Sequence, residues 1–397
     1  HTGAVIAGDR FRAGVERVTS AVRGSPTARV LVGRLPLAAG LSALLLPLIA
    51  VGTLAIVWPG GGQPPGEFDR FGPAGAALLT GQWTLPYSDA GVQAGPFELA
   101  GYGLAALLGV SGVVGWSVFA IIGGYLLTVS LLLVLFLPRD GASNRLARFV
   151  PLAVGAVGWL AVFLPSAIGS GHPSQVVIPL CWIVAGCLAA EGRPVAFGVL
   201  LGLSAGWEVW GILGAPLVLL AARPRPVRAG LAALATVAVI YLPFVIAGPF
   251  RMFGKEWGID GGSLVHLLLP GADTFPWPWR LVHTAVALIA GAGLALLCRR
   301  TDHGLWLAPL AIVVARLAFD PLVLPYYWIA PVTIALCFAG ALALRRRWLG
   351  AGAAALVPVL ALVPGGRSPW GALLVLAGCI AAGILIAART PAEQAVR

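Results

Sequence analysis

The sequence predicts an all-α polytopic membrane protein with about 10–12 transmembrane helices, an outer interfacial helix and broken or re-entrant helices. Three observations carry this expectation. Of 397 residues, 59% are hydrophobic and only 10% are charged, against about 25% charge in a soluble domain. Apolar runs near the length of a span, about 20 residues, recur along the chain. The basic residues fall in alternate loops. With a mean hydropathy of +0.93, a soluble enzyme, a disulfide scaffold and a disordered tail are all excluded.

The elements follow in order. Residues 1–34 carry six Arg and read as a cytoplasmic N-terminal segment without a visible cleavable signal peptide. Residues 35–390 read as a single transmembrane domain, and 391–397 as a cytoplasmic tail. Apolar runs lie near 36–58, 115–137, 149–165, 176–190, 229–248, 281–297, 304–319, 326–344, 349–364 and 371–388. Segments 96–112 and 197–221 are apolar but interrupted, the first by Glu98 and the second by Glu208 and several glycines. Residues 59–95 and 249–280 read as long extracytoplasmic loops, a length usually tied to function.

Charge tests the topology. The net charge is +11. Under the positive-inside rule, the cytoplasmic loops carry +20 and −6 and the outer loops +5 and −8, with Glu208 and Arg316 within apolar segments. The net charge therefore records orientation and does not mark a nucleic-acid-binding surface. The parity requires that 96–112 does not fully cross and that 197–221 enters and returns on the cytoplasmic side. Broken helices at membrane depth line protein cavities and point to a binding site. The alternative is that both segments cross and one Arg loop breaks the rule.

Few residues are available for chemistry. Cys181, Cys187, Cys298, Cys337 and Cys379 sit in or beside apolar runs without a Cys-x-x-Cys, and read as small apolar residues. Lys255 is the single lysine, a bias of high-GC bacterial genomes. No His/Asp cluster has metal-ligand spacing and no Gly-rich phosphate loop is present. No cofactor or dedicated metal site is expected, and a loosely bound divalent cation stays open. Apolar spacing from Phe68 to Leu79 predicts a helix at the outer interface ending near Gly81. Asp69 at its start reads either as an N-cap or as a general base. Glu67 could substitute, while Asp89 and Glu98 read as solvated loop charges.

Intramembrane ionisable residues are functional suspects. Glu208 lies near mid-depth between Trp207 and Trp210. It reads as a functional carboxylate with an aromatic wall, or as a buried paired carboxyl. Arg316 and Asp320 are spaced for an ion pair on one helix face, and Arg316 reads alternatively as a functional cation. His172 either contacts a ligand or sits at a helix N-terminus. His266 and His283 read as interface residues, and Tyr326, Tyr327 and Trp328 as an outer aromatic belt.

Two blocks carry a family resemblance. The first is Asp69, Phe71, Ala77-Leu78-Leu79, Gly81 and Pro86-Tyr87, just beyond the first span. The second is Gly171-His172-Pro173-Ser174-Gln175, Glu191-Gly192-Arg193, Gly198 to Gly202-Leu203, and Trp207-Glu208-Val209-Trp210 before Pro216. Together, over about residues 35–225, they resemble the GT-C superfamily of membrane glycosyltransferases. More narrowly they are similar to glycosyltransferase family 87, the polyprenyl-phosphate-mannose-dependent enzymes. His172 stands where the family has Gln, and Glu208 where it has a basic residue in the broken helix.

The resemblance implies a GT-C-like fold and inverting transfer of a sugar, mannose by family, at the outer face. The donor would be a polyprenyl-phosphate sugar and the acceptor a glycolipid or cell-envelope glycan, with membrane lipids around. It implies Asp69 as the catalytic base. Glu208, His172, Gln175, Trp207, Trp210 and Tyr87 would contact substrate. Arg316, Lys255, Arg251 and Arg280 are the candidates for the donor phosphate. A transporter or lipid flippase is the competing reading. It expects polar residues strung through several spans, whereas the polar density here lies at the outer face. A structural membrane subunit is the third.

Overall fold

A computed structural model describes residues 66–107, 172, 174–344, 347–363 and 365–389. The expected N-terminal segment, the spans at 36–58, 115–137 and 149–165, and the tail lie outside the described residues. Among the described residues the regular elements are helical, and three helices are long and apolar enough to cross a membrane.

Helix α1 (Gly66–Leu79) forms where the apolar spacing expects it. It ends in a Schellman motif, with Gln82 N–H donating to Ala77 O (2.8 Å) and Gly81 N–H to Leu78 O (3.3 Å). Helix α2 (Pro96–Leu107) packs on α1, where the rings of Phe68 and Phe71 meet Tyr102. At about 18 Å, the 12 described residues of α2 are shorter than a span. Helix α3 (Ser174–Ala190) and helix α4 (Pro194–Ala205) form a tight hairpin. Gly192 at φ +72° is the left-handed residue that turns it.

Segment 197–221 breaks. Helix α4 stops at Ala205, Gly206–Glu208 run irregularly, and a 3-10 helix spans Val209–Leu220. So long a 3-10 run is uncommon and marks a constrained segment. The constraint is visible at Gly211, where a Cβ would come 2.4 Å from the Ser204 backbone. The Gly211 carbonyl also accepts a 2.7 Å bond from Trp182 Nε1. Glu208 lies beside Ser174 at the start of α3, and Leu220 beside Gly186 near its end. The 3-10 helix therefore runs with α3, and α4 runs back between them. The chain enters and returns to one end of the bundle.

Helix α5 (Pro226–Ala247) runs alongside α4, with Gly198 against Ala229 and Gly206 against Ile240. After the short α6 (Leu264–Leu268), α7 (Trp277–Cys298) and α8 (Gly304–Ala318) form an antiparallel pair. A 3-10 turn (Pro325–Trp328) leads into α9 (Ile329–Leu344), followed by α10 (Trp348–Leu362) and α11 (Pro369–Arg389). Helix α8 is the centre of the core: all its residues except Leu305 are buried. A helix apolar on every side is stable only when surrounded in this way. A second cluster, with Phe71, Tyr87, Tyr102, Tyr241 and Phe244, joins α1 and α2 to α5.

The helix directions sort the charges. Arg193, Arg223, Arg225, Arg299, Arg300 and Arg347 lie at the end where α3, the 3-10 helix, α7 and α9 finish. Glu191 and Asp302 lie with them, while Asp89, Glu98, Glu208, Asp260 and Asp320 lie at the other end, beside the long loops, together with Arg70, Lys255, Arg280 and Arg316. The outer faces of α5, α7 and α11 carry exposed apolar side chains such as Leu231, Ile246, Ile289 and Leu374. That surface suits hydrocarbon and is unfavourable in water.

Candidate functional site

The acidic end of the bundle holds two adjoining cavities that share Gln93, Glu208 and Trp257 in their walls. Glu208 is half-buried in the break after α4, with extended backbone (φ −158°, ψ 143°). Gly95 N–H donates to the preceding carbonyl of Trp207 at 2.7 Å, and Ala94 pairs with Glu208 as an isolated bridge. Three donors converge on one carboxylate oxygen. Ser174 Oγ donates to Glu208 Oε2 at 2.8 Å, Trp210 Nε1 at 2.7 Å and Gln175 Nε2 at 3.5 Å. Oε1 receives none of them. Glu208 is thus level with the first turn of α3. It is not near mid-depth, because the break carries it to the end of the bundle.

The first cavity, about 280 Å³, combines cations with apolar and aromatic walls. Arg316 in the last turn of α8 is 6% exposed. Its guanidinium lies 4.7 Å from the Trp210 ring and 4.9 Å from the Tyr327 ring. Nη2 is 3.7 Å from Asp320 Oδ2, which realises the expected ion pair. Among the described residues Nη1 has no hydrogen-bond partner. Arg280 stands over Trp277 at 4.8 Å and donates from Nη2 to Lys255 O at 2.7 Å. His283, expected at an interface, instead lines this cavity, with a ring nitrogen 2.9 Å from Arg316 O.

The second cavity, about 150 Å³, is more polar. His172 and Glu98 are buried in its wall, 8% and 0% exposed, with Nδ1 3.6 Å from Oε1. His172 stacks on Tyr326 at 4.4 Å. Arg70 and Lys255 also line the cavity. Two expectations change here. Glu98 is not a solvated loop charge, because α2 folds it under α1 and against His172. Tyr326, Tyr327 and Trp328 are not a surface belt. The 3-10 turn tucks Tyr327 and Trp328 into the core and lays Tyr326 on His172.

The structure thus brings together Glu208, Trp210, Gln175, His172, Arg316, Arg280 and Lys255. It places four other candidates elsewhere. Asp69 is the fourth residue of α1 and therefore not its N-cap. It is exposed and lines neither cavity, although its neighbours Arg70 and Phe71 line the second. Arg251 is exposed outside both cavities. Trp207 packs edge-on against Phe97. Tyr87 is buried in the aromatic cluster and its hydroxyl donates to Ala94 O at 3.1 Å. Burial, with Tyr241 and Glu98 nearby, pushes that hydroxyl well above the usual tyrosine range. Ser174 and Gln93 belong to the site as well, although the sequence does not mark them individually. Ser174 lies inside the motif that drew attention to His172 and Gln175, and Gln93 carries no comparable signal.

No three His, Cys, Asp or Glu side chains gather as a metal site among the described residues. Comparison of the chain with protein-family models, with curated proteins and with solved structures finds no match in any of the three.

Proposed function

We propose that this protein is a membrane glycosyltransferase. It takes a sugar from a polyprenyl-phosphate donor and passes it to a hydroxyl of a glycolipid or cell-envelope glycan. The observation that carries this reading is Arg316, a buried guanidinium with one nitrogen unpaired among the described residues, in the wall of a cavity that also has apolar and aromatic sides. A guanidinium matches phosphate oxygens through parallel donors, and a buried cation without full pairing is costly. An anion in the first cavity completes its shell. The same cavity is lined by Ile212, Phe253 and Trp277, large apolar side chains that are all exposed. A lipid phosphate has this composition, a charged head beside an apolar chain.

The half-buried carboxylate of Glu208 beside the cation gives the second chemical element, a hydroxyl acceptor. The family resemblance adds mannose as the sugar and inversion as the stereochemical course. The sorting of charge favours a multi-pass arrangement with the basic end cytoplasmic and the cavities extracytoplasmic. Transport is less well supported, because the buried ionisable groups among the described residues gather at one end of the bundle.

Equilibrium binding of labelled polyprenyl monophosphate to the protein in lipid nanodiscs tests the reading. Arg316→Gln should weaken binding by roughly 10- to 100-fold, the worth of a charge-assisted hydrogen bond. Arg316→Lys should recover part of it. Unchanged binding in Arg316→Gln would remove the phosphate assignment.

A further inference from the structure

We infer that the second cavity binds one polyhydroxylated ring of the acceptor, and that Glu208 Oε1 takes the proton from its reacting hydroxyl. The inference rests on the reading of Arg316 as the donor-phosphate contact and deepens it. Glu208 is in the wall of both cavities, whereas Arg316 is in the wall of the first only. Of the three residues common to both walls, Gln93, Glu208 and Trp257, Glu208 is the carboxylate, and it is the group we assign to act between a ligand in one cavity and a ligand in the other.

Size and chemistry select the ligand. An apolar cavity of about 150 Å³ holds a benzene ring, so the second cavity, of about the same volume, limits the ligand to no more than one ring. Its wall includes the aromatic residues Trp257 and Tyr326 together with the polar side chains of Glu98, His172, Arg70 and Lys255. A sugar or cyclitol ring presents C–H faces and hydroxyls to match both.

The carboxylate is built for one task. Ser174, Gln175 and Trp210 all donate to Oε2 and so fix its orientation. Oε1, free of these bonds on a residue that faces both cavities, is the oxygen available to a bound hydroxyl. In the step, the acceptor O–H bond breaks and its proton goes to Oε1. The acceptor oxygen forms a bond to the anomeric carbon. The bond from that carbon to the phosphate oxygen breaks, and its electron pair leaves on the lipid phosphate beside Arg316. Asp69, which the family resemblance would make the base, is exposed and lines neither cavity.

The test compares wild type with Glu208→Gln, Asp69→Asn and Leu324→Trp in nanodiscs. Leu324 lines the second cavity and not the first, so the indole fills the proposed acceptor subsite. Transfer from labelled polyprenyl-phosphate sugar to a glycolipid is read together with polyprenyl monophosphate binding, which also reports folding. Glu208→Gln should lose roughly 10²- to 10⁴-fold in transfer rate, the span of general-base catalysis, with lipid-phosphate binding retained. Leu324→Trp should raise the acceptor KM by at least about tenfold and leave donor binding unchanged. Asp69→Asn should transfer at the wild-type rate. Wild-type transfer with an equally active Glu208→Gln, or with an unchanged acceptor KM in Leu324→Trp, overturns this inference alone. A wild-type protein that transfers no sugar removes the proposed function, and this inference falls with it.

Discussion

Glu208 and Arg316 are joined through a single side chain. The indole of Trp210 donates its N–H to the Glu208 carboxylate at 2.7 Å and offers its face to the Arg316 guanidinium at 4.7 Å. Residues far apart in sequence are thereby held at a set separation. One hydrogen-bonds to the edge of the ring and the other rests on its surface.

Replacing Trp210 separates the two contacts. Trp210→Phe keeps a ring beneath Arg316 and deletes the donor to Glu208. A hydrogen bond to a charged group contributes about 1.5–3 kcal/mol. Transfer should fall by roughly tenfold or more while lipid-phosphate binding stays near wild type. Trp210→Ala should impair both. Paired binding and rate measurements decide it, and equal loss of binding in both variants would contradict the division of roles.

Asp320 holds the other side of Arg316. Its Oδ2 pairs with the guanidinium and its Oδ1 accepts the Leu322 N–H at 3.0 Å. Both partners are buried, 4% and 6% exposed. Removing one member of a buried pair costs about 3–5 kcal/mol, so Asp320→Ala should lower the thermal unfolding midpoint in detergent markedly. Asp320→Asn, which keeps an acceptor for Leu322, should fall between. An unchanged midpoint for Asp320→Ala would show that solvent or lipid screens the pair.

Gly211 sets the packing of the re-entrant segment. A Cβ there would overlap the Ser204 backbone, and backbone has no flexible end to move aside. Gly211→Val should destabilise the fold by about 1–3 kcal/mol or more through overpacking. It should also shift the carboxylate of Glu208, read as weaker acceptor binding. Wild-type stability and binding in this variant would contradict the described contact.

Several of these features were legible in the sequence. Helix α1 and its end at Gly81 followed from apolar spacing and a glycine. The break around Glu208 followed from glycines and a charge in an apolar run. The pair Arg316–Asp320 followed from helical spacing alone. What escaped depended on contacts between distant residues. Glu98 looks like any carboxylate in the first turn of a helix, and nothing local shows that His172 lies against it. Tyr326–Trp328 have the composition of an interfacial belt, and only the fold turns Tyr327 and Trp328 inward. Asp69 sits in a motif, yet the rotation of α1 that leaves it exposed is a tertiary property.

Sidedness is open to direct labelling. In a background without native cysteines, Glu191→Cys at the α3–α4 turn and Asp89→Cys near the cavities should report opposite faces. With intact cells, an impermeant maleimide should label the second and not the first. Labelling of Glu191→Cys from outside would reverse the orientation.

The most direct measurement of the central claim is transfer itself. The purified protein in nanodiscs is supplied with labelled polyprenyl-phosphate mannose and a glycolipid acceptor, and the product is isolated and its anomeric configuration read. The account predicts sugar on the acceptor with inverted configuration, and strong loss of product in Arg316→Gln. No product from any polyprenyl-phosphate sugar, together with solute uptake when the same protein is placed in sealed liposomes, would contradict it.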